Sequence, residues 1–272
     1  MSAMQQHLRS MVMRAGMSSG PVFDADAAVY LAAVETADGQ ALEPAVKAAI
    51  NDFVVGCKSD GIWDAIKASC ILAGARTLNG ALVPLKGAAP TNVGGLFVAG
   101  DYNRETGLAG NRSTKYLDTN RNDLEDPEQD LHYSVYRTAS GTPSVNTDHI
   151  ATQAISTLFS RFATSAAGAA NFSNRRSSPV IGFVGAGPTL GFAGSSRVGS
   201  GCSARIGGTT STASIASAVA TNSNWFVFAR NGSPPSAYSD SRIAFYSVGE
   251  SIDLEKLDTR VTALVAAIGE AI

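Results

Sequence analysis

From about residue 75 onward the chain consists of short runs of β-branched and aromatic residues, separated by clusters of Gly, Asn, Asp, Ser and Pro. Leu131-His132-Tyr133-Ser134-Val135-Tyr136-Arg137, Val180-Ile181-Gly182-Phe183-Val184, Asn224-Trp225-Phe226-Val227-Phe228-Ala229-Arg230 and Asp240–Gly249 are such runs. Each is too short for a helix, and frequent turn signals leave no room for long crossover connections. Many short strands joined by turns predict an antiparallel sandwich or jelly roll, because a half-apolar sheet must bury its face against a second layer. Residues 147–162 fit either a helix or a strand by apolar spacing; their density of Thr and Ser favours strand. The Ser/Thr/Gly/Ala-rich stretch 195–224 reads as a loop or a polar-faced strand pair.

The two ends follow a different period. Residues 25–35 form a short helical run ending before the Asp38-Gly39 turn. Leu42, Val46, Ile50, Phe53, Val54 and Cys57 recur at helical spacing, with Pro44 tolerated in the first turn. Ile62–Ile66 reads as one more helical turn, and Ala68–Gly74 as a buried strand. At the other end Leu254, Leu257, Val261, Leu264, Val265, Ile268 and Ile272 line one helical face. Ser251 or Asp253 can cap that helix, and acids crowd its first turn. The fold class expected is therefore mainly β: an antiparallel jelly-roll sandwich with an N-terminal helical layer and a C-terminal helix. The division expected is a docking segment over 1–22, a helical region over 23–74, and a jelly-roll domain over 75–272 that ends in helix 253–272.

The first twenty residues hold all five methionines and no acid. Met4, Leu8, Met11 and Ala15 fall on one helical face, an adaptable contact surface for a partner. The competing reading is a tail, or a strap on the chain's own core.

Composition excludes several classes. The net charge is −2, without the basic excess of a nucleic-acid binder. Charged residues make up 16%, against roughly 25% in an average soluble domain, so the surface is polar but weakly charged. The three cysteines, Cys57, Cys70 and Cys202, form no C-x-x-C pair and read as buried thiols of a chain made in a reducing cytoplasm. No run reaches the roughly 18 apolar residues of a membrane span, and no N-terminal apolar run resembles the core of a secretion signal. No membrane insertion is expected.

Three stretches in series carry a resemblance. They are Leu42–Ile66 with its phrase Gly61-Ile62-Trp63-Asp64, then Gly107-Leu108-Ala109-Gly110-Asn111-Arg112-Ser113-Thr114-Lys115-Tyr116-Leu117-Asp118-Thr119, then Ile243–Ser251 leading into the terminal helix. In that order they resemble the laminin-G/concanavalin-A-like jelly-roll modules of tailed-phage virion proteins, of the tail-fibre or particle-surface type. The resemblance covers roughly residues 25–272. It implies a two-sheet sandwich with flanking helices, made in the host cytoplasm and placed in the virion. It also implies symmetric contact with other virion proteins and with copies of itself. The function expected first is a structural protein docked by its N-terminus; a glycan-binding host-adsorption module is the alternative, and a head decoration protein or a glycan-degrading enzyme is the weaker one.

No catalytic set is legible. The three histidines make no metal-binding pair, and the chain is expected not to be an enzyme. Gly185–Gly191 brushes a dinucleotide fingerprint, but with the wrong spacing and no following helix, so it reads as a turn. Asp118, Asn120, Asn122 and Asp123 head an oxygen-rich stretch that is the candidate calcium site; the EF-hand pattern fails there, and no other cofactor is expected. Tyr102, Tyr116 and Tyr238, close to loops, are the candidate rings for stacking on host glycan.

Overall fold

The structure of the chain is a computed structural model that describes residues 22–142, 147–155, 158–176, 181–220 and 222–272. The expected docking face of Met4, Leu8, Met11 and Ala15 lies outside these residues. The helical period of the N-terminal region yields α1 (Ala25–Asp38), α2 (Pro44–Ser59) and the single turn α3 (Leu78–Ala81); that of the C-terminus yields α4 (Leu254–Ala271). Local chemistry sets their ends. Asp24 accepts the Asp26 N–H at the start of α1, and Gly39, at φ 70°, closes it. Asp253 accepts the N–H groups of Glu255 and Lys256 at the start of α4.

The alternating segments form two antiparallel sheets. The larger runs in the order β14 (Thr209–Ser214), β13 (Gly201–Ile206), β12 (Gly191–Val198), β7 (Asp130–Ala139), β16 (Arg242–Gly249), β1 (Ile66–Ile71) and β2 (Pro84–Lys86). Beside β16 sits β5 (Gly107–Ala109), which pairs β4 (Tyr102–Asn103). The smaller sheet runs β11 (Ile181–Phe183), β10 (Ala170–Arg176), β9 (Leu158–Thr164), β8 (Thr147–Ile155), β15 (Asn224–Val227), β6 (Leu117–Asn122) and β3 (Thr91–Asn92). The jelly-roll sandwich with flanking helices is thus the fold. The ambiguous 147–162 stretch is strand, and the polar 195–224 stretch supplies the β12–β13–β14 meander.

Two apolar cores hold the layers. Between the sheets, Leu117, Tyr133, Ile150, Phe162, Phe172, Trp225, Val227 and Tyr246 interdigitate. Trp225 lies 5.1 Å from Tyr133, and Phe162 stacks on Phe172 at 4.7 Å. The second core lies between the outer face of the larger sheet and the helices. Ile71, Phe192, Ala244 and Phe245 meet Ile50, Phe53, Leu257, Val261 and Ile268 there, with Phe53 edge-on to Phe245 at 5.6 Å. Arg260 of α4 clamps Asp60, at the end of α2, through two hydrogen bonds of 2.7 and 2.9 Å. The larger sheet is therefore buried on both faces, while the smaller has no helix over its outer face among the described residues.

Two expectations are corrected. Ile62–Ile66 is not a helical turn: the chain makes a tight turn and enters β1 at Ile66, which pairs with Gly249. That turn needs a glycine opposite, since a Cβ on Gly249 would sit 2.1 Å from the Ala65 carbonyl oxygen. The boundary placed at 74/75 follows directly on a strand of the larger sheet, because β1 pairs with β16 and β2. Helices and sandwich share one core and do not separate there. Cys57, Cys70 and Cys202 are buried and form no disulfide among the described residues. Among the described residues no helix is long and apolar enough to cross a membrane.

Candidate functional site

Side-chain alternation decides what the open face of the smaller sheet presents. Trp225 and Val227 point into the inter-sheet core, so Phe226 between them points outward. Phe226 pairs with Asp118 of β6 on one side and with Ala151 of β8 on the other; Ala151 in turn pairs with Arg161 of β9. An outward row Asp118–Phe226–Ala151–Arg161 thus crosses four strands.

Aromatic rings gather at its β6 end. Tyr116, just before β6, lies over Phe226 with ring centroids 4.6 Å apart, and Tyr238 approaches Tyr116 at 6.1 Å. Phe226 is nearly covered, at 7% exposure, and the two tyrosines are half-buried. Burial raises the Tyr116 phenol above its ordinary value, with Tyr238 and Asp118 adding to the effect, so this hydroxyl stays neutral. Beside the rings, the Asn224 amide donates to both Asp118 carboxylate oxygens, at 3.1 and 3.2 Å.

Cations gather at the other end. A β-bulge between Asp148 and Ile150 turns the Asp148 side chain outward while His149 stays inside against Phe162. The fully buried Asp148 carboxylate then pairs with Arg161 at 3.3 Å and with Arg230 at 2.5 Å. The Arg161 and Arg230 side chains are 13% and 18% exposed. Burial lowers Arg161 from its ordinary value, the nearby Asp148 opposing the shift. Flat apolar rings beside carboxylate, amide and guanidinium groups make a shallow platform that can stack on a sugar face and hydrogen-bond its hydroxyl or carboxylate oxygens.

The platform joins two of the three candidate tyrosines. Tyr102 stands apart: on β4 of the other sheet, it donates its hydroxyl to the Ala75 carbonyl at 2.7 Å, and burial pushes its phenol upward. Phe226 is one of the strand aromatics that the sequence offers for a sugar platform, behind the loop tyrosines; Asn224, Arg161, Arg230 and Asp148 are not among the sequence candidates. The parity of Trp225-Phe226-Val227 carries the signal for Phe226; nothing local in the sequence marks the bulge that turns Asp148 toward the two arginines.

The four candidate calcium ligands are dispersed and engaged. Asp118 accepts from Asn224 and from the Asn120 N–H. Asn120 donates to Ala89 O and Thr91 Oγ1, and Asn122 accepts the Leu124 N–H. Asp123 is buried against Arg175, which also donates to the carbonyls of Asp123, Asp126 and Pro127. Among the described residues no group of three or more His, Cys, Asp or Glu side chains is placed to hold a metal ion.

A second feature with binding chemistry is a cleft of about 450 Å³ lined by Asp26, Lys58, Gly61, Trp63, Asp64 and Lys86. Its ring is already occupied. Lys86 sits 4.4 Å above the Trp63 centroid, and the indole N–H donates to Asp26 at 3.1 Å.

No family model matches the chain, and no curated protein matches it. Among solved structures it is similar to the CBM40 of Ruminococcus gnavus IT-sialidase, with 10% identity and TM-score 0.43 over 56% of this chain and 96% of that one. It is also similar to a variant of NanB sialidase from Streptococcus pneumoniae, with 7% identity and TM-score 0.44 over 56% of this chain and 27% of that one. Trypanosoma rangeli sialidase, in complex with a difluorinated KDN, gives 9% identity and TM-score 0.49 over 76% of this chain and 33% of that one. The chain thus spans only about a quarter to a third of the two whole sialidases. At these identities and scores the likeness is one of general shape.

Proposed function

We propose that the chain is a glycan-binding module whose site is the platform on the outer face of the smaller sheet. The observation that supports this reading is the Tyr116–Phe226–Tyr238 ring cluster set beside the Asp118–Asn224 pair. The half-buried Tyr116 and Tyr238 rings, backed by the nearly covered Phe226, give a sugar its stacking surface; fixed amide, carboxylate and guanidinium groups give its oxygens directional partners. The arginine end suits sugars that bear a carboxylate or sulfate. The virion setting implied by the resemblance is part of the same proposal: a tailed-phage surface protein that carries the platform outward and is held by other virion proteins. Its support is the order and spacing of the three resembling stretches. This ranks the adsorption role above the purely structural one.

The test is a glycan array of neutral and acidic glycans probed with the full chain, repeated with Tyr116→Ala and Tyr238→Ala. Binding that each substitution weakens about tenfold, at unchanged melting temperature, is the expected result. Binding to no glycan, or binding indifferent to both substitutions, rejects the platform. Incubation with a bound glycan is expected to release no reducing ends. In particle preparations, the chain is expected to co-sediment with virions.

A further inference from the structure

Sheet edges carry unpaired backbone donors and acceptors, and proteins normally blunt them with short strands, charge or proline. Three path ends of this sandwich follow that rule. β2 is three residues long and contains Pro84 and Lys86; β11 has three residues and β3 has two. The fourth end, β14, breaks it. Thr209–Ser214 is six residues long and pairs with β13 residue for residue without a bulge. It has no charge and no proline, and no charged residue occurs between Arg205 and Arg230. Thr209, Thr210, Thr212 and Ser214 are exposed, and among the described residues no strand pairs with its outer side.

The phase of the hairpin says which groups face outward. Gly207 and Gly208, at φ 55° and 76°, make a two-residue turn of the I′ kind, which places the flanking pair Ile206 and Thr209 in mutual hydrogen bonding. At the far end, the Ile215 N–H donates to Ser200 O at 2.7 Å, in the same phase. The backbone groups of Thr209, Ser211 and Ala213 therefore face β13. Those of Thr210, Thr212 and Ser214 face away from the sheet. Next to them, a groove of about 560 Å³ on the helix side is lined by Val198, Thr212, Ser214 and Ile252 among others, with Val198 69% exposed.

We infer that β14 is the contact through which a second copy of this chain adds to the sheet. Antiparallel pairing about a two-fold axis near Thr212 sets Thr210 of each copy opposite Ser214 of the other. It makes up to about six backbone hydrogen bonds and continues the larger sheet across both copies. A second copy suits this edge because its own edge is equally uncharged, so no like charges face each other across the axis. Thr side chains on both strands meet as a favourable cross-strand pair. A contact of six residues a side is small beside the roughly 1,600 Å² of a standard interface, so the pairing is concentration-dependent. The inference does not depend on glycan binding.

Sedimentation velocity of the full chain from about 1 µM to several hundred µM tests it. The expected result is a rise from monomer to dimer mass, with slowed exchange of the Thr210, Thr212 and Ser214 amides at the high end. Thr212→Pro removes an outward donor without touching the β13 ladder, and Thr210→Lys places a charge on the edge. Each variant is expected to raise the dimer dissociation constant at least about tenfold while keeping the wild-type melting temperature of the monomer. A chain that stays monomeric throughout overturns the inference. So does a dimer that survives in folded forms of both variants.

Discussion

His132 and His149 make the stability of this sandwich sensitive to mild acid. His132 is fully buried on β7. One ring nitrogen contacts the Glu250 carbonyl, which can only accept, so Nδ1 carries the proton and Nε2 is left to accept from Ser247 Oγ at 3.0 Å. Ser247 in turn meets Ser134 Oγ at 2.8 Å. Burial pulls the His132 ring from 6.5 down to about 4. Between those values the unfolded chain binds a proton that the folded chain refuses. Stability is therefore constant above about pH 6.5, falls as pH drops through that window, and levels for this group below about pH 4. A drop from 6.5 to about 4 corresponds to roughly 3 kcal/mol, or on the order of 10 °C in melting temperature for a domain of this size. His149 shifts in the same direction, well below its ordinary value, by burial and the adjacent Arg137 guanidinium. Urea melts at half-unit steps from pH 7.5 to 4.5 read the slope directly. His132→Asn, which cannot titrate, is expected to flatten it by close to one proton. A stability that is level over this range, or a slope unchanged in the variant, refutes the reasoning.

Arg175→Met is expected to cost about 3–5 kcal/mol in urea unfolding, because it leaves the buried Asp123 carboxylate without its cation; Asp123→Asn added to it recovers part of the loss. Cys57 and Cys70 are pushed up to about 12 by burial, so a thiol reagent at pH 8 is expected to label them only at the rate of unfolding. Tyr116→Ala is expected to weaken glycan binding about tenfold, the value of roughly 1–2 kcal/mol for a well-placed aromatic contact, and isothermal titration with the best array glycan measures it. Millimolar calcium is expected to leave the melting temperature unchanged; a clear rise would return the 118–130 loop to metal binding.

The fold was legible where one residue period dominates. Leu254 to Ile268 and Val46 to Cys57 bury the faces their spacing predicts. Leu131–Arg137 and Arg242–Gly249 lie in adjacent strands of the larger sheet because their apolar residues serve two faces at once. Legibility failed at Ile62–Ile66, where helical spacing over five residues yields to pairing with a strand far along the chain. At the site, loop position marks Tyr116 and Tyr238, and the structure brings these two rings to within 6.1 Å of each other. The same criterion marks Tyr102, which stands on the other sheet, because proximity to a loop does not say which sheet the loop serves. The Asp148 pairing with two arginines was not legible, because it depends on a one-residue bulge and on a cation brought in from beyond the end of β15.

The larger sheet is assembled from distant parts of the chain. β16 lies between β1 and β7, and Ser247 meets Ser134 across 113 residues of sequence, while Arg260 meets Asp60 across 200. Such contacts cannot form until the residues after about 240 have left the ribosome, and high contact order of this kind slows folding. Until then β1 and β7 present two apolar, unpaired flanks side by side, the species most open to aggregation. Nascent chains arrested before Arg242 are thus expected to need chaperone protection that the finished chain does not.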